Sequence, residues 1–166
     1  VVSMTTYRDA GFVAGAFRNF LALLGWSSKT EQEIMTLEEL IEHFTLDGIH
    51  RSNAVFNFDA VDPRRWTDDK AIWMNAEYIK TSPPSEVAQA LVPHLEQAGL
   101  KDELLTVSNE WLAQLVVLVK ERAKTLRELI DGAHYLYADR PIAPDEKAAK
   151  LLDAEGRAAL AALIPR

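Results

Sequence analysis

The chain has 166 residues, 48% of them hydrophobic, and no cysteine, so it can fill one domain or two small ones with a real core, and disulfides, thiolate metal sites and cysteine nucleophiles are excluded. Eighteen Lys and Arg against 25 Asp and Glu leave a net charge of −7, which argues against nonspecific coating of nucleic acid but still permits one locally basic face. With no apolar run of membrane-spanning length, no signal-peptide pattern and no cysteine, a cytoplasmic protein is expected.

In chain order, Thr5 or Thr6 is placed to cap a short first helix over Tyr7 to Ala10, which Gly11 stops with a left-handed turn. Phe12, Ala16, Phe17, Phe20, Leu21, Leu23 and Leu24 then recur at three and four residues, predicting an amphipathic helix that ends at Gly25. Thr36 with Glu39 has capping-box spacing and opens a helix expected to bury Leu37, Leu40, Ile41 and Phe44, with Glu38, Glu39 and Glu42 outside. Residues 45–70 are turn-rich around the short apolar run Ala54-Val55-Phe56. From Lys70 helical spacing resumes through Ile72, Trp73, Ala76 and Ile79, until Ser82-Pro83-Pro84 breaks the chain and starts the next helix.

That proline pair is the candidate boundary between a subdomain at 1–80 and another at 81–166. Beyond it Val87, Leu91 and Leu95 form a stripe ending at Gly99, with Pro93 expected to bend it, and Leu112, Leu115, Val116, Leu118 and Val119 form a longer one. Thr125 with Glu128 repeats the capping-box spacing, Gly132 interrupts, and short helices follow near Pro144 and Asp153 into the helix-favouring Ala158 to Leu163. Strand-like alternation is scarce, so the expected fold class is mainly α.

No phosphate-cradling glycine loop, nucleophile elbow or HExxH spacing occurs. His43, His50, His94 and His134 therefore read as surface or capping histidines, and Asp68 with Asp69 as solvated loop acids. Neither half is basic: residues 1–80 carry 8 basic and 12 acidic side chains, residues 81–166 carry 10 and 13. The distinctive polar stretch is Lys120 to Arg127, four cations and one acid at a helix junction. Cations there suit phosphate, but they equally complement the dipole of the preceding helix, which is the commoner arrangement. Trp73, Tyr78 and Trp111 have faces that bases stack on, yet aromatics at helical spacing more often belong to a core.

The opening Ser3-Met4-Thr5-Thr6-Tyr7-Arg8-Asp9-Ala10-Gly11-Phe12, followed by Ala16-Phe17-Arg18-Asn19-Phe20-Leu21-Ala22-Leu23-Leu24-Gly25-Trp26, closely resembles the segment after the KMSKS loop of bacterial glutamyl-tRNA synthetases. Thr36 to Ile41 with Phe44, then Ala54-Val55-Phe56, then Trp73-Met74-Asn75 with Tyr78-Ile79 follow in family order. The likeness thins but continues through Val92-Pro93, Ala98-Gly99-Leu100, Arg122 to Leu129, Tyr135-Leu136-Tyr137 and Glu146-Lys147-Ala148, while the stretch from Asn57 to Lys70 is longer than the family link.

This resemblance implies a stem-contact helical subdomain, residues 1–80, followed by the first part of an α-helical cage that meets the anticodon, with a further helical domain following in the family. It implies glutamate tRNA, tRNA(Glu), as partner, with neither DNA nor a membrane, and a monomer. Implied RNA-contacting residues are Arg122, Lys120, Lys124, Arg127, Lys70, Lys80 and Asn75, with Arg122 aligned to the arginine that reads the third anticodon base. The HIGH and KMSKS motifs do not occur here, so the stretch is expected to be catalytically silent, holding no metal or cofactor, with ATP and Mg belonging to the parent's catalytic domain. The alternative is an α-helical protein-interaction module without RNA binding, its apolar stripes docking a partner helix.

Overall fold

The computed structural model describes residues 3–51, 67–100, 108–137 and 143–163. The Ala54-Val55-Phe56 block, most of the 57–70 link and the side chain of Tyr137 lie outside that description. Among the described residues the fold is helical, with an isolated antiparallel bridge between Trp26 and Ile49. The chain forms two compact units, Val1–His134 and Tyr135–Arg166. The Pro83-Pro84 break falls inside the first unit.

Helix α1, Met4–Asp9, is capped by Ser3, whose hydroxyl accepts the Thr5 N–H at 3.1 Å. The cap therefore sits before both threonines expected to provide it, because Ser3 already satisfies the first orphan donor. The C-terminal end closes as a Schellman turn: Phe12 N–H reaches the Tyr7 carbonyl at 3.0 Å and Gly11 N–H the Arg8 carbonyl at 2.9 Å, with Gly11 at φ +90°. Helix α2, Ala14–Gly25, buries Ala16, Asn19 and Phe20. Tyr7, Phe12, Phe20, Ala71 and Met74 then share one core cluster, which joins α1 and α2 to α4.

Helix α3, Leu37–His43, has the expected capping box, with Thr36 and Glu39 exchanging side-chain and backbone bonds at 3.2 and 2.7 Å. Accepting the Thr36 N–H holds the Glu39 carboxyl below its ordinary range. Its apolar stripe behaves otherwise than expected. Leu40 is buried with Trp26 and Met35, but Leu37, Ile41 and Phe44 are exposed. A seven-residue helix buries only the face it turns to Trp26 and Met35, and the rest of the stripe, with Ala22 and Trp26, lines an open groove of about 310 Å³.

Helix α4, Asp69–Thr81, is capped by Asp68, which accepts the Lys70 N–H at 2.9 Å. Asp68 is thus a cap, not a spare loop acid. Helix α4 buries Ala71, Met74, Asn75, Ala76 and Ile79, leaving Trp73 exposed. Helix α5, Pro84–Gln97, starts on the second proline as the restricted ring predicts, contains Pro93, and ends in a second Schellman turn at Gly99. Helix α6, Asn109–Val119, is capped by Ser108 and packs Leu112, Leu115 and Val116 inward, whereas Leu118 faces solvent. After a 3-10 turn at Lys120–Arg122, helix α7, Leu126–Gly132, buries Leu126, Leu129 and Ile130. Helix α8, His134–Tyr137, follows.

The second unit holds α9, Glu146–Leu151, capped by Asp145, and α10, Ala154–Leu163, whose first turn is held by Asp153 accepting the Gly156 N–H at 2.8 Å. Leu151 and Leu160 on these helices are exposed.

Gly11 carries a tight backbone approach to the start of α7. A Cβ there would stand 2.8 Å from the Arg127 nitrogen and 2.9 Å from the Leu126 nitrogen. Both contacts are to main chain, so no side chain can swing aside, and φ is in the left-handed region as well. Gly11→Ala should lower unfolding free energy by about 2–4 kcal/mol. A urea titration would show this as a lower midpoint at unchanged slope.

Candidate functional site

The junction between α6 and α7 is held from beneath while its cations face outward. Ala123 is buried, and the chain on either side is pinned by main-chain bonds. Leu126 N–H donates to the Gly11 carbonyl at 2.8 Å. The Lys124 carbonyl accepts from Asn75 Nδ2 at 2.7 Å, and Lys124 N–H donates to Glu128 Oε2 at 2.8 Å. Thr125 accepts the Glu128 N–H at 3.2 Å. The capping box is therefore displaced by one residue: its glutamate returns to the residue before the cap. Its acid is consumed by an N–H and leaves the cations unneutralised by an ion pair from that side.

The side chains of Arg122, Lys124 and Arg127 are exposed. Lys120 is half-buried and donates from Nζ to the Lys80 carbonyl at 2.6 Å, covering an orphan acceptor at the end of α4. Lys80 itself pairs with Glu77 at 3.1 Å. Lys70 is at the far end of α4, about 15 Å of helix rise away, in an ion pair with Glu33 at 2.5 Å. Asn75 is fully buried, with Oδ1 accepting the Val13 N–H at 2.9 Å and Nδ2 turned to the Lys124 and Gly11 carbonyls. The structure thus groups Lys120, Arg122, Lys124 and Arg127, brings the end of α4 beside them, sets Lys70 apart, and places Asn75 underneath with no polar atom facing solvent.

His94 departs from the surface role expected of the four histidines. It is 5% exposed, and its Nδ1 has no hydrogen-bond partner among the described residues. The signal was present in the spacing, since Val87, Leu91, His94 and Leu95 share one face of α5. Burial pushes its pKa below 6.5, with Arg127 and Arg8 acting in the same direction and Asp9 against it. Of the aromatic candidates, Trp73 is exposed and Trp111 half-buried, while Tyr78 bonds through its hydroxyl to Asn19 and the Met35 carbonyl. Among the described residues no group of three or more His, Asp or Glu side chains is arranged to hold a metal ion, and no helix is long and apolar enough to cross a membrane.

Comparison with known proteins bears on this geometry directly. Residues 86–166 match the family model of the anticodon binding domain, and residues 1–63 match that of the catalytic domain of class I tRNA synthetases (E and Q). A glutamate–tRNA ligase of Solibacter usitatus is 42% identical over 97% of this chain, and one of Azorhizobium caulinodans 40% identical over 99%. Over nearly its whole length the chain is homologous to part of the glutamate–tRNA ligases. It spans about a third of the length of these relatives, 31% and 34% respectively. The crystal structure of a glutamate–tRNA synthetase from Elizabethkingia anophelis superposes on 87% of this chain and 26% of its own, with a TM-score of 0.63 and 28% identity. A glutamate tRNA ligase from Elizabethkingia meningosepticum, at 23% identity, shares the fold over 98% of this chain and 31% of its own with a TM-score of 0.66. The class I catalytic-domain model thus reaches through α3, over residues expected to contact tRNA stems.

The state of His94 sets a pH dependence for this ligase segment. Its folded pKa is depressed, so on acidification the unfolded chain takes up its proton first, and stability falls as pH drops below the unfolded value near 6.5. Glu39, also depressed, comes into play only below the ordinary carboxylate range, at lower pH. Thermal melts should therefore show a lower Tm at pH 5 than at pH 7, and His94→Gln should narrow that gap.

Proposed function

We propose that this chain is the tRNA-holding part of a glutamate–tRNA ligase. Its first helices run along the inner stems of tRNA(Glu) and its later helices meet the anticodon, as a monomer in the cytoplasm. Glutamate activation with ATP and Mg takes place on residues outside this stretch, and the stretch alone charges no tRNA. The observation that carries this reading is the exposed set Arg122, Lys124 and Arg127 on a main chain held by bonds to α4 and to Gly11, within a segment matching the anticodon binding domain. A protein-docking module offers no reason for cations gathered over such a fixed backbone.

An acidic chain with a few presented cations binds RNA weakly and through phosphate charge. Binding of tRNA(Glu) by the 166-residue chain should be measurable at low salt and fall steeply as salt rises, each phosphate contact adding about 0.7–0.9 to the slope of log K against log salt. Binding indifferent to salt would instead favour apolar docking.

Arg122 is the residue proposed to read sequence. A guanidinium only donates; the pairing edge of cytosine offers O2 and N3 as acceptors, whereas guanine presents N1–H and N2–H₂ there with only O6 accepting. Arginine therefore favours C over G at the base that separates glutamate anticodons, ending in C, from glutamine anticodons, ending in G. In a full-length ligase carrying this segment, Arg122→Gln should shrink the preference for tRNA(Glu) over glutamine tRNA by about 1–3 kcal/mol. Charging efficiencies on both tRNAs measure it, and an unchanged ratio leaves Arg122 a surface cation.

A further inference from the structure

We propose that Asn75, buried beneath the RNA-facing surface, is a positioning residue that sets where the junction cations stand. This rests on the proposed role of that junction in binding tRNA. Asn75 is 0% exposed and rides on α4, which is fixed by its buried neighbours Ala71, Met74, Ala76 and Ile79. One planar amide serves three residues in two other chain segments: Oδ1 takes the Val13 N–H at 2.9 Å, and Nδ2 gives to the Lys124 carbonyl at 2.7 Å and the Gly11 carbonyl at 3.5 Å. The partners fix which way round the amide lies, since an N–H requires the oxygen and two carbonyls require the nitrogen.

The same Gly11 carbonyl also accepts from Leu126 N–H at 2.8 Å. Lys124 is therefore held at its carbonyl on one side and Leu126 at its nitrogen on the other, two residues from Arg122 and one from Arg127 respectively. Gly11 and Val13 lie in the region matching the catalytic-domain model, Lys124 and Leu126 in the region matching the anticodon-binding model, and Asn75 in neither. A single amide between the two regions thus fixes the backbone from which the cations project. Preorganising those side chains removes part of the ordering cost of binding.

No other side chain of this size replaces it. Asp accepts but does not donate, and would set a carboxylate against the Lys124 and Gly11 carbonyls; Ala leaves a buried N–H and a buried carbonyl unpaired.

The test titrates tRNA(Glu) into the 166-residue chain across a salt series, for wild type, Asn75→Asp, Asn75→Ser, Lys124→Gln and the Asn75→Asp/Lys124→Gln double variant, each held below its own melting temperature. Asn75→Asp is expected to weaken binding about tenfold and to flatten the salt slope by about one phosphate contact. In the Lys124→Gln background its effect should shrink, because both changes remove the same contact. A folded Asn75→Asp chain with wild-type affinity and slope overturns the proposal while leaving the tRNA-binding reading intact, as do losses that add in full with those of Lys124→Gln. Asn75→Ser leaves room for a water between Val13 and Lys124 and carries the same comparison if Asn75→Asp does not fold. Failure of both to fold makes Asn75 a purely structural residue and also overturns the proposal. Absence of wild-type binding at low salt overturns instead the reading on which it rests.

Discussion

Two carbonyl oxygens, of Gly11 and Lys124, and two N–H groups, of Val13 and Leu126, meet around the buried amide of Asn75. In an apolar interior each of those groups costs free energy if left alone. Their mutual satisfaction makes the turn after α1, helix α4 and the junction before α7 a single rigid joint. Gly11 is indispensable to it for a steric reason, since the Leu126 and Arg127 nitrogens come within 3 Å of where a side chain would begin. The hydrophobic cluster of Tyr7, Phe12, Phe20, Ala71 and Met74 supports the joint from the other side.

The electrostatics of the surface follow from this joint more than from composition. A net charge of −7 is poor material for binding an anion. The acids, however, are engaged locally or dispersed: Glu128 accepts a main-chain N–H, Glu33 and Glu77 pair with Lys70 and Lys80, and Asp68 and Asp145 cap helices. Three cations of the junction are left presented to solvent from a backbone that cannot drift. Local placement over a distance shorter than the Debye length outweighs net charge for a contact with phosphate.

Local signals in the sequence were sufficient for most of the helical layout. The Thr36–Glu39 capping box, the Pro83-Pro84 restart, the Gly11 and Gly99 stops and the Thr125 cap act through neighbours within a few residues, so their physics is complete in the sequence. The ligase family likewise was legible, because several motif blocks recur in order over the chain. The four cations from Lys120 to Arg127 were visible too, because they fall within one short stretch of sequence.

What only tertiary packing decided concerns residues whose partners are far away in the chain. Asn75 could be placed among polar RNA-facing groups until the structure brought Val13 and Lys124, 62 and 49 residues distant, against its amide. His94 looked like any histidine, although its place in the Val87, Leu91, Leu95 stripe marked it for burial. Leu37, Ile41 and Phe44 have the spacing of a buried stripe and are exposed, because periodicity states which face is apolar and not whether another element covers it. Lys120 and Lys70 read alike as free cations, yet one terminates α4 and the other is paired with Glu33. Caps, stops and periodicity are local and therefore written in the sequence; burial and the partner of a polar side chain depend on which distant segments meet, and that is settled only by the fold.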